Sequence, residues 1–394
     1  MDCDYQPIRI PDKGERTICS SHFADSVLCE FIEHHGESGE CSFCGHNGKV
    51  MDFADFIEHA RKTVYRYFGT IDDENLPAAF FHGDNWGFGF VREPASGIEE
   101  VMPTEGIHSL PTSELLYEMD LLTGEEKLDA AIEECFDMGQ EWIRHDPLSF
   151  SNGEWVSYYW DSFRRTIMSG RRFTIDEYLF EGDHYGETLT YAEVISRIFS
   201  TIRSAGLITT LREGTRIFRS RSFPEGVSPS GFDDLTAPPS KYAKQNRMSP
   251  AGISMFYGAL SPDTTIAELG NVDGVIFTGR FTIVKDLNLL DLTSLPRLSY
   301  WRKVDMSELA FLHKFAVELS RPISHDYRID VEYLPTQAFT EYVRYRFKNS
   351  DGLPVDGIIY NSSKDTGGRN VVLFCDHNTS REWLELSDYK DYGR

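Results

Sequence analysis

The sequence predicts an α+β protein with a small N-terminal segment of paired cysteine and histidine, a helical region, and a C-terminal domain built on a sheet. Cysteine and histidine recur at short spacing within the first 44 residues. Apolar residues then recur every three or four positions up to about residue 200, and β-branched and aromatic runs separated by turns follow. We therefore predict three segments: a zinc-ribbon-like segment 1–50, a mainly helical domain 51–200, and a domain of mixed strands and helices 201–394.

Length, composition and charge limit the kind of protein. A chain of 394 residues is long for one domain, and 40% hydrophobic with 13% aromatic residues is typical of globular proteins. The net charge of −24 argues against a nucleic-acid-binding surface, which is usually basic. The sequence contains no apolar run long enough to span a bilayer and no apolar signal region near its N-terminus. We expect a cytoplasmic protein with neither a membrane nor a nucleic acid as partner.

Five of the seven cysteines lie in the first 44 residues and suggest a metal site. Cys19 and His22 form a Cys-x2-His pair, and Cys41 and Cys44 form a Cys-x2-Cys pair. Two such pairs supply the four ligands of a tetrahedral Zn²⁺, and four protein ligands leave no open position, so the role would be structural. A set of reduced structural cysteines without metal is the alternative. Three neighbouring histidines could compete as ligands: His34, His35 and His46.

Periodicity predicts the helices and strands that follow. The segment 72–90 contains several turn formers and is predicted to be a loop. The span 246–270 is predicted to be a strand followed by a helix. Predicted helices lie at 25–35, 51–69, 113–143, 155–175, 307–323 and 336–347. Predicted strands lie at 215–223, 274–293, 355–363 and 370–375, which gives mixed or antiparallel pairing.

Polar residues near the ends of these strands are candidates for a binding site. Guanidinium groups bind phosphate oxygens in a forked geometry better than lysine does. Glu268 lies in the predicted helix, while Tyr360 and the pair Ser362 and Ser363 precede a glycine-rich turn. A diphosphate held by arginines, with a carboxylate near a ribose, would suit nucleotide chemistry; ordinary surface ion pairs are the alternative. The candidate arginines are Arg216, Arg219, Arg221 and Arg247.

Four pieces of the C-terminal half resemble a RES domain in the order of that family. They are IFRSRSF, NRMSPAGISMFYGA, TTIAELG and DGIIYNSSKDTGGRNVVLF, between about residues 214 and 374. The N-terminal block CSSHFADSVLCEFIEHHGESGECSFCG resembles the segment found ahead of some RES and HEPN domains. The resemblance implies a fold like that of ADP-ribosyltransferases and an enzyme that cleaves NAD⁺ at the nicotinamide–ribose bond, with phosphate or water as acceptor.

The resemblance also implies roles for individual residues. By position, the catalytic residues would be Arg219, Arg247, Tyr257, Glu268 and Ser362, and Tyr360 would join them in binding NAD⁺. The two arginines would bind the diphosphate, and the tyrosine would stack on nicotinamide or its ribose. The glutamate would stabilise the oxocarbenium-like charge, while the serine would bind ribose or the nucleophile. Many members of the family are bacterial toxins, so an antitoxin or trigger protein is an expected partner, and a homo-oligomer is left open.

Some features depart from the family pattern. Ser220 stands where some toxins carry tyrosine. The register of the match does not decide between Arg216 and Arg219, or between Ser362 and Ser363.

Two other functions use the same sequence features: a protein ADP-ribosyltransferase, or a catalytically silent zinc-containing binding module. An RNase of the HEPN type is disfavoured, since no arginine in 51–200 precedes a histidine at the required spacing. Three further residues are interpreted as structural or surface residues: His82, His184 and Cys375.

Overall fold

The computed structural model describes residues 8–70, 78–82, 85–92, 100–103, 109–144, 154–175, 190–302, 306–320 and 329–391. The chain forms two compact units. The first consists of Met1–Phe150 and Ser299–Lys303, and the second consists of Ser151–Leu298 and Val304–Arg394. The division at residues 50 and 200 stays a prediction of domain organisation. Among the described helices, none has the length and apolar character needed to cross a membrane.

The first unit combines short helices with three small sheets. Its strands are arranged in the orders β1-β3-β2, β4-β9-β8 and β5-β6-β7, and all of these pairs are antiparallel. The helices are α1 (Ser26–His35), α2 (Phe53–Tyr67), α3 (Thr112–Glu118) and α4 (Glu126–Glu133). The strands are β1 (Thr17–Cys19), β2 (Glu37–Glu40), β3 (Asn47–Asp52), β4 (Phe68–Thr70), β5 (Ala78–His82), β6 (Asn85–Arg92), β7 (Glu100–Pro103), β8 (Leu110–Pro111) and β9 (Glu141–Arg144).

Local chemistry explains where the first helices begin. The Asp25 carboxylate accepts hydrogen bonds from the backbone N–H groups of Val27 and Leu28 at the start of α1. Asp52 caps α2 in the same way through Ala54 N–H at 2.9 Å. The apolar faces of both helices are buried in one core together with side chains from α3 and α4. The caps and the apolar period thus act together to place these helices.

The second unit is built on one large sheet. Its helices are α5 (Glu154–Arg165), α6 (Tyr191–Ser204), α7 (Phe232–Leu235), α8 (Pro262–Leu269), α9 (Met306–Leu319), α10 (Ile329–Glu332), α11 (Leu334–Tyr345) and α12 (Ser380–Trp383). Its strands are β10 (Ile208–Leu211), β11 (Arg216–Phe223), β12 (Phe256–Ala259), β13 (Val275–Ile283), β14 (Leu287–Asp291), β15 (Gly357–Asn361), β16 (Arg369–Leu373) and β17 (Leu384–Asp391).

The eight strands form a mixed sheet in the order β10-β14-β15-β16-β12-β11-β13-β17. Only β14 and β15 are parallel within this sheet, and the other neighbours are antiparallel. The mixed pairing agrees with the sequence prediction. Because successive side chains of a strand point to opposite faces of the sheet, β15 and β16 contribute residues to two cores. Ile358 and Val372 lie in a core shared with α5, α6, α9 and α11, whereas Ile359 and Leu373 lie in a second core.

The helix α8 is placed over the sheet by polar contacts as well as by its caps. Ser261 caps its first turn, Pro262 opens it, and Gly270 ends it with φ 63°, a conformation that favours glycine. The Thr265 hydroxyl forms a hydrogen bond with the buried Ser220 hydroxyl on β11. The Ser220 hydroxyl also forms a 2.6 Å hydrogen bond with the Thr278 hydroxyl on β13.

The structure confirms most predicted elements and corrects others. The helices predicted at 25–35 and 336–347 and the strand followed by a helix in 246–270 are present as α1, α11, β12 and α8. The loop predicted at 72–90 is wrong, because that segment contains β5 and most of β6. His82 therefore lies in a strand, while His184 lies outside the described residues. The helix predicted at 113–143 is divided into α3 and α4, and its end lies in β9. Cys375 is buried in the core as predicted.

Gly357 on β15 provides a test of the sheet packing. A Cβ atom at this position would lie 2.2 Å from the Val372 carbonyl oxygen, which is backbone and cannot move aside. We therefore expect Gly357→Ala to lower the free energy of unfolding by about 1–3 kcal/mol, the range for overpacking. Gly170→Ala is the control, since its Cβ would meet only a Thr166 methyl at 3.8 Å. Denaturant unfolding of the full chain measures both, and equal stability of the two variants would contradict the packing described.

Candidate functional site

The first candidate site is a cluster of one histidine and three cysteines in the first unit. Cys19 ends β1, and His22 lies in the 3-10 turn that follows it. Cys41 and Cys44 lie in the connection between β2 and β3. One ligand atom from each of the four residues falls within 4.8 Å of all the others. The four residues that the sequence predicts as zinc ligands are therefore brought together, without His34, His35 or His46.

Distances within the cluster suit a tetrahedral metal. The Cys19 and Cys44 sulfurs are 3.6 Å apart, and His22 Nε2 lies 3.2 Å from the Cys41 sulfur. Ligands at Zn–S and Zn–N bond lengths stand about 3.3–3.8 Å apart in a tetrahedron. Burial works to raise the pKa of the Cys41 thiol, but hydrogen bonds from the backbone near Cys44 and from the His22 ring outweigh it and lower the pKa to about 6. This favours the thiolate, the form that binds metal.

Glu125 contacts this cluster, although nothing in the sequence pattern indicates it. Its carboxylate lies 2.8 Å from His22 Nδ1, on the side of the ring opposite the cysteines. A carboxylate in this position accepts the Nδ1–H and leaves Nε2 free to bind a metal. Glu125 directly precedes α4, 103 residues along the chain from His22, so no local pattern could have revealed the pairing.

The second candidate site lies on the sheet of the second unit, where two tyrosines are placed by the strand register. Tyr257 on β12 is paired with Val372 of β16, and Tyr360 on β15 is paired with Asn370 of the same strand. The Tyr257 hydroxyl forms a 2.8 Å hydrogen bond with Ser249. Burial raises the pKa of both phenols well above the usual range, so both stay protonated at neutral pH.

Arg219 lies next to Tyr257, where β11 and β12 diverge beyond the pair Phe218 and Ala259. Its Nη1 donates a 2.5 Å hydrogen bond to the Tyr257 carbonyl oxygen, and its guanidinium lies 5.5 Å from the centre of the Phe256 ring. Burial, together with the nearby charge of Arg221, lowers the pKa of Arg219 to about 10, so it remains cationic at neutral pH. Within the described ranges no carboxylate pairs with Arg219, and its buried Nε has no hydrogen-bond partner.

Arg247 is held in a tight turn between Asn246 and Ser249, whose backbones exchange hydrogen bonds. Its Nη1 donates to the carbonyl oxygen of Glu318 at 2.6 Å, and its guanidinium lies 5.7 Å from the centre of the Tyr333 ring. The side chains of Thr336 and Gln337 on α11 hold this turn by donating to its carbonyl oxygens. The turn, together with the side chains of Thr336 and Gln337, therefore fixes the backbone from which the Arg247 side chain extends.

Glu268 projects from the last turn of α8 and is exposed. Its Oε1 accepts a 2.5 Å hydrogen bond from the Ser362 hydroxyl and a 2.7 Å hydrogen bond from Nδ2 of Asn370. The same Ser362 oxygen accepts from the backbone N–H groups of Lys364 and Asp365, so the serine is fixed by its own turn. Two donors therefore orient the carboxylate, and among the described residues no hydrogen bond to its Oε2 is found.

The structure brings the predicted residues together in two contacting pairs. Glu268 contacts Ser362, and Arg219 contacts the backbone of Tyr257. Tyr360 lies close enough to both pairs to interact electrostatically with Tyr257 of one and Glu268 of the other, and the charge of Arg247 also acts on it. Ser362, and not Ser363, holds the carboxylate, while Arg216 is an exposed residue at the start of β11.

Three supporting residues were not identified from the sequence: Asn370, Ser249 and Tyr333. Asn370 could have been considered from its position at the start of the predicted strand 370–375, next to the glycine-rich turn. Its contact with Glu268 joins residues 102 positions apart. Ser249 and Tyr333 carry no distinctive sequence signal.

Comparison with known proteins identifies both parts of the chain. A family model described as RES domain matches residues 216–392, and one described as HEPN/RES N-terminal domain 1 matches residues 34–178. No curated protein and no solved structure matches the chain. The first match contains Arg219, Arg247, Tyr257, Glu268, Ser362 and Tyr360. The protein therefore carries a HEPN/RES N-terminal domain 1 at residues 34–178, followed by a RES domain at residues 216–392.

Proposed function

We propose that the protein is an NAD⁺-degrading enzyme that cleaves the bond between nicotinamide and ribose. The observation that carries the proposal is the Glu268 carboxylate, which is exposed yet oriented by Ser362 and Asn370 within the RES domain. A fixed carboxylate beside a developing oxocarbenium ion stabilises it more than a mobile one does. Tyr257 and Tyr360 supply neutral aromatic surface near this carboxylate, which suits the nicotinamide ring and its ribose.

The proposed reaction breaks one bond and forms another at the anomeric carbon of the ribose. The C–N bond breaks with its electron pair going to the pyridinium nitrogen, so nicotinamide leaves as a neutral molecule and needs no acid catalyst. An oxygen of phosphate or water supplies the electron pair of the new C–O bond. With water as acceptor, one proton is released to solvent, and with phosphate the product is a phosphorylated ADP-ribose. Glu268 stabilises the positive charge between these two events.

The diphosphate of NAD⁺ would be bound by Arg219 and Arg247. Arg219 supports this role because it keeps a positive charge with no carboxylate partner in the described ranges. A bound anion would supply the compensating charge and charge-assisted hydrogen bonds. Arg247 would contribute from its rigid turn.

We further propose that Cys19, His22, Cys41 and Cys44 bind one structural Zn²⁺. The distances in the cluster and the Glu125 contact to His22 support this assignment. The ion would join β1 to the connection between β2 and β3, and with four protein ligands it would take no part in catalysis. A role as a bacterial toxin or defence effector, controlled by a partner protein, rests on the family resemblance.

Replacing the Glu268 carboxylate tests the proposed chemistry. Glu268→Gln keeps an acceptor for Ser362 but removes the charge, so we expect nicotinamide release to fall by about 10²-fold or more. Asp263→Asn is the matched control, because it removes an exposed carboxylate from the same helix, and we expect it to retain activity within about twofold, as for a residue outside the site. Mass analysis of the products with and without phosphate identifies the acceptor.

Three outcomes of this experiment would count against the proposal. They are no nicotinamide release by the wild type, full activity of Glu268→Gln, or equal losses in both variants. Transfer of ADP-ribose to a protein, instead of release as a free product, would indicate a protein ADP-ribosyltransferase with the same site.

Asn370 is proposed as a positioning residue, and its role can be tested through pH dependence. In Asn370→Asp the introduced carboxyl lies beside Glu268, and repulsion between the two raises the pKa of the pair. Below that pKa the proton bridges the two groups much as the Asn370 amide does. Above it, both groups are ionised and repel each other. We therefore expect activity to be lost as pH rises through the raised pKa, and the profile of kcat against pH to shift to lower pH.

Asn370→Ala is the control for this shift. It removes the donor without adding a charge, so kcat should fall with no displacement of the pH profile. The same pH profile for Asn370→Asp and Asn370→Ala would contradict a direct action of Asn370 on the carboxylate.

Metal analysis tests the zinc proposal. We expect the purified chain to hold one zinc ion and Cys41→Ser to lose it, with a lower unfolding temperature because metal binding contributes to folding. Cys29→Ser is a size-matched control, since Cys29 lies outside the cluster and donates to the carbonyl oxygens of Ser20 and Phe23. Equal zinc content in both variants, or zinc loss without loss of stability, would refute the structural role.

A further inference from the structure

The second unit contains a cleft that the proposed catalysis does not use. Its volume is about 1010 Å³, and it is lined by α7, the segment 238–245 and His377. Pockets for small ligands usually have volumes of about 300–1,000 Å³. None of the residues assigned to NAD⁺ lines it. The cleft is therefore large enough for a ligand of nucleotide size and separate from the Glu268 carboxylate.

Three cationic side chains and two carboxylates line this cleft, so it carries a small positive excess although the protein as a whole is strongly acidic. Arg221, Lys241 and Lys244 line it, against the two carboxylates of Asp233 and Asp234. Arg221 donates to the Asp234 carbonyl oxygen at 2.5 Å, and no carboxylate in the described ranges forms a salt bridge with it. The arginine is thus fixed in place by its backbone contact, and its charge acts on the Asp234 carboxylate without a direct ion pair in the described ranges.

The two carboxylates in the cleft are already engaged by protein groups. Asp233 forms an ion pair with Arg381, and its Oδ1 lies 3.4 Å from Nε2 of His377. Asp234 accepts hydrogen bonds from the hydroxyl and the backbone N–H of Ser230 at 2.6 and 2.7 Å. Because these acids are bound elsewhere, the lysines and Arg221 remain available for an anionic ligand.

An aromatic ring lies beside the cationic groups. Tyr242 is 65% exposed, and Lys241 Nζ lies 4.6 Å from the centre of its ring. Pro238 and Pro239 line the same cleft and restrict the backbone around it. Exposed aromatic rings next to cations are a common surface for stacking a base while its phosphate is bound.

We propose that this cleft is a second ligand site, which binds a phosphate-bearing molecule of mononucleotide size. Arg221 and the two lysines bind the phosphate, and Tyr242 stacks on the base. Arginine suits phosphate because its planar fork can donate two parallel hydrogen bonds.

The site is also connected by sequence to the proposed catalytic residues. Lys244 and Gln245 lead directly into the turn that carries Arg247, and the N–H of Gly252 closes this loop on the Ala243 carbonyl oxygen at 3.0 Å. A ligand in the cleft therefore contacts the same loop that positions Arg247.

Direct binding of AMP, measured by calorimetry, tests the proposal without requiring any catalytic activity. The double variant Lys241→Glu/Lys244→Glu should bind AMP at least about tenfold more weakly, since it loses charge-assisted contacts. The matched control is Lys285→Glu/Lys390→Glu, which makes the same change of net charge on two residues that do not line the cleft. Its affinity for AMP should equal that of the wild type. Tyr242→Ala should also weaken AMP binding, by about tenfold from lost stacking.

Arg247→Ala distinguishes this cleft from the proposed NAD⁺ site. We expect AMP binding to survive this substitution, whether or not the protein cleaves NAD⁺. No AMP binding by the wild type, equal weakening in the two double variants, or loss of binding in Arg247→Ala would overturn the proposal. Unchanged AMP binding in Tyr242→Ala would show that the base does not stack on Tyr242. Circular dichroism of each variant excludes unfolding as the cause of any loss.

Discussion

The backbone pairing of β12 with β16 is the constraint on which the RES domain site depends. It sets Tyr257 opposite Val372 and Ala259 opposite Asn370, while β15 joins the same strand through Tyr360 and Asn370. A slip of one residue would turn every side chain of a strand to the other face. Tyr257 and Tyr360 would then leave the side on which α8 presents Glu268. The two cores resist such a slip, because each holds alternate residues of the same strands.

Burying the guanidinium of Arg219 costs folding free energy, and the contacts that the sheet provides do not offset all of that cost. Removing a cation from water is unfavourable unless other groups replace its hydration. One carbonyl oxygen and one aromatic face do so here, and the Nε atom has no partner in the described ranges. Such incomplete satisfaction is common where a ligand completes the site. An apolar side chain here would avoid this cost, and an anion bound as proposed above would offset it.

Sequence patterns predict the structure correctly where the pattern arises within a single helix, strand or short motif. The amphipathic helices and the RES motifs are of this kind, as are the Cys-x2-His and Cys-x2-Cys pairs. The sequence predicts a loop where β6 begins, because glycine alternates with aromatic residues in NWGFGFVR and glycine is a common turn signal. Asn370 and Glu125 were missed for a different reason. Their contacts join residues more than 100 positions apart, and only the folded sheet or the folded cluster of cysteines and histidine brings them together.

Net charge describes the average field of this protein and says little about its binding sites. At physiological ionic strength, charges are screened beyond about 8 Å, so a ligand near Arg219 or Arg221 responds mainly to the groups around it. The total of −24 repels anions weakly at long range and does not assist their approach. Affinity for a phosphate must then come from short, charge-assisted hydrogen bonds. Arginines held by backbone carbonyls, as Arg219 and Arg247 are, would provide the proposed bonds with little further loss of conformational freedom on binding.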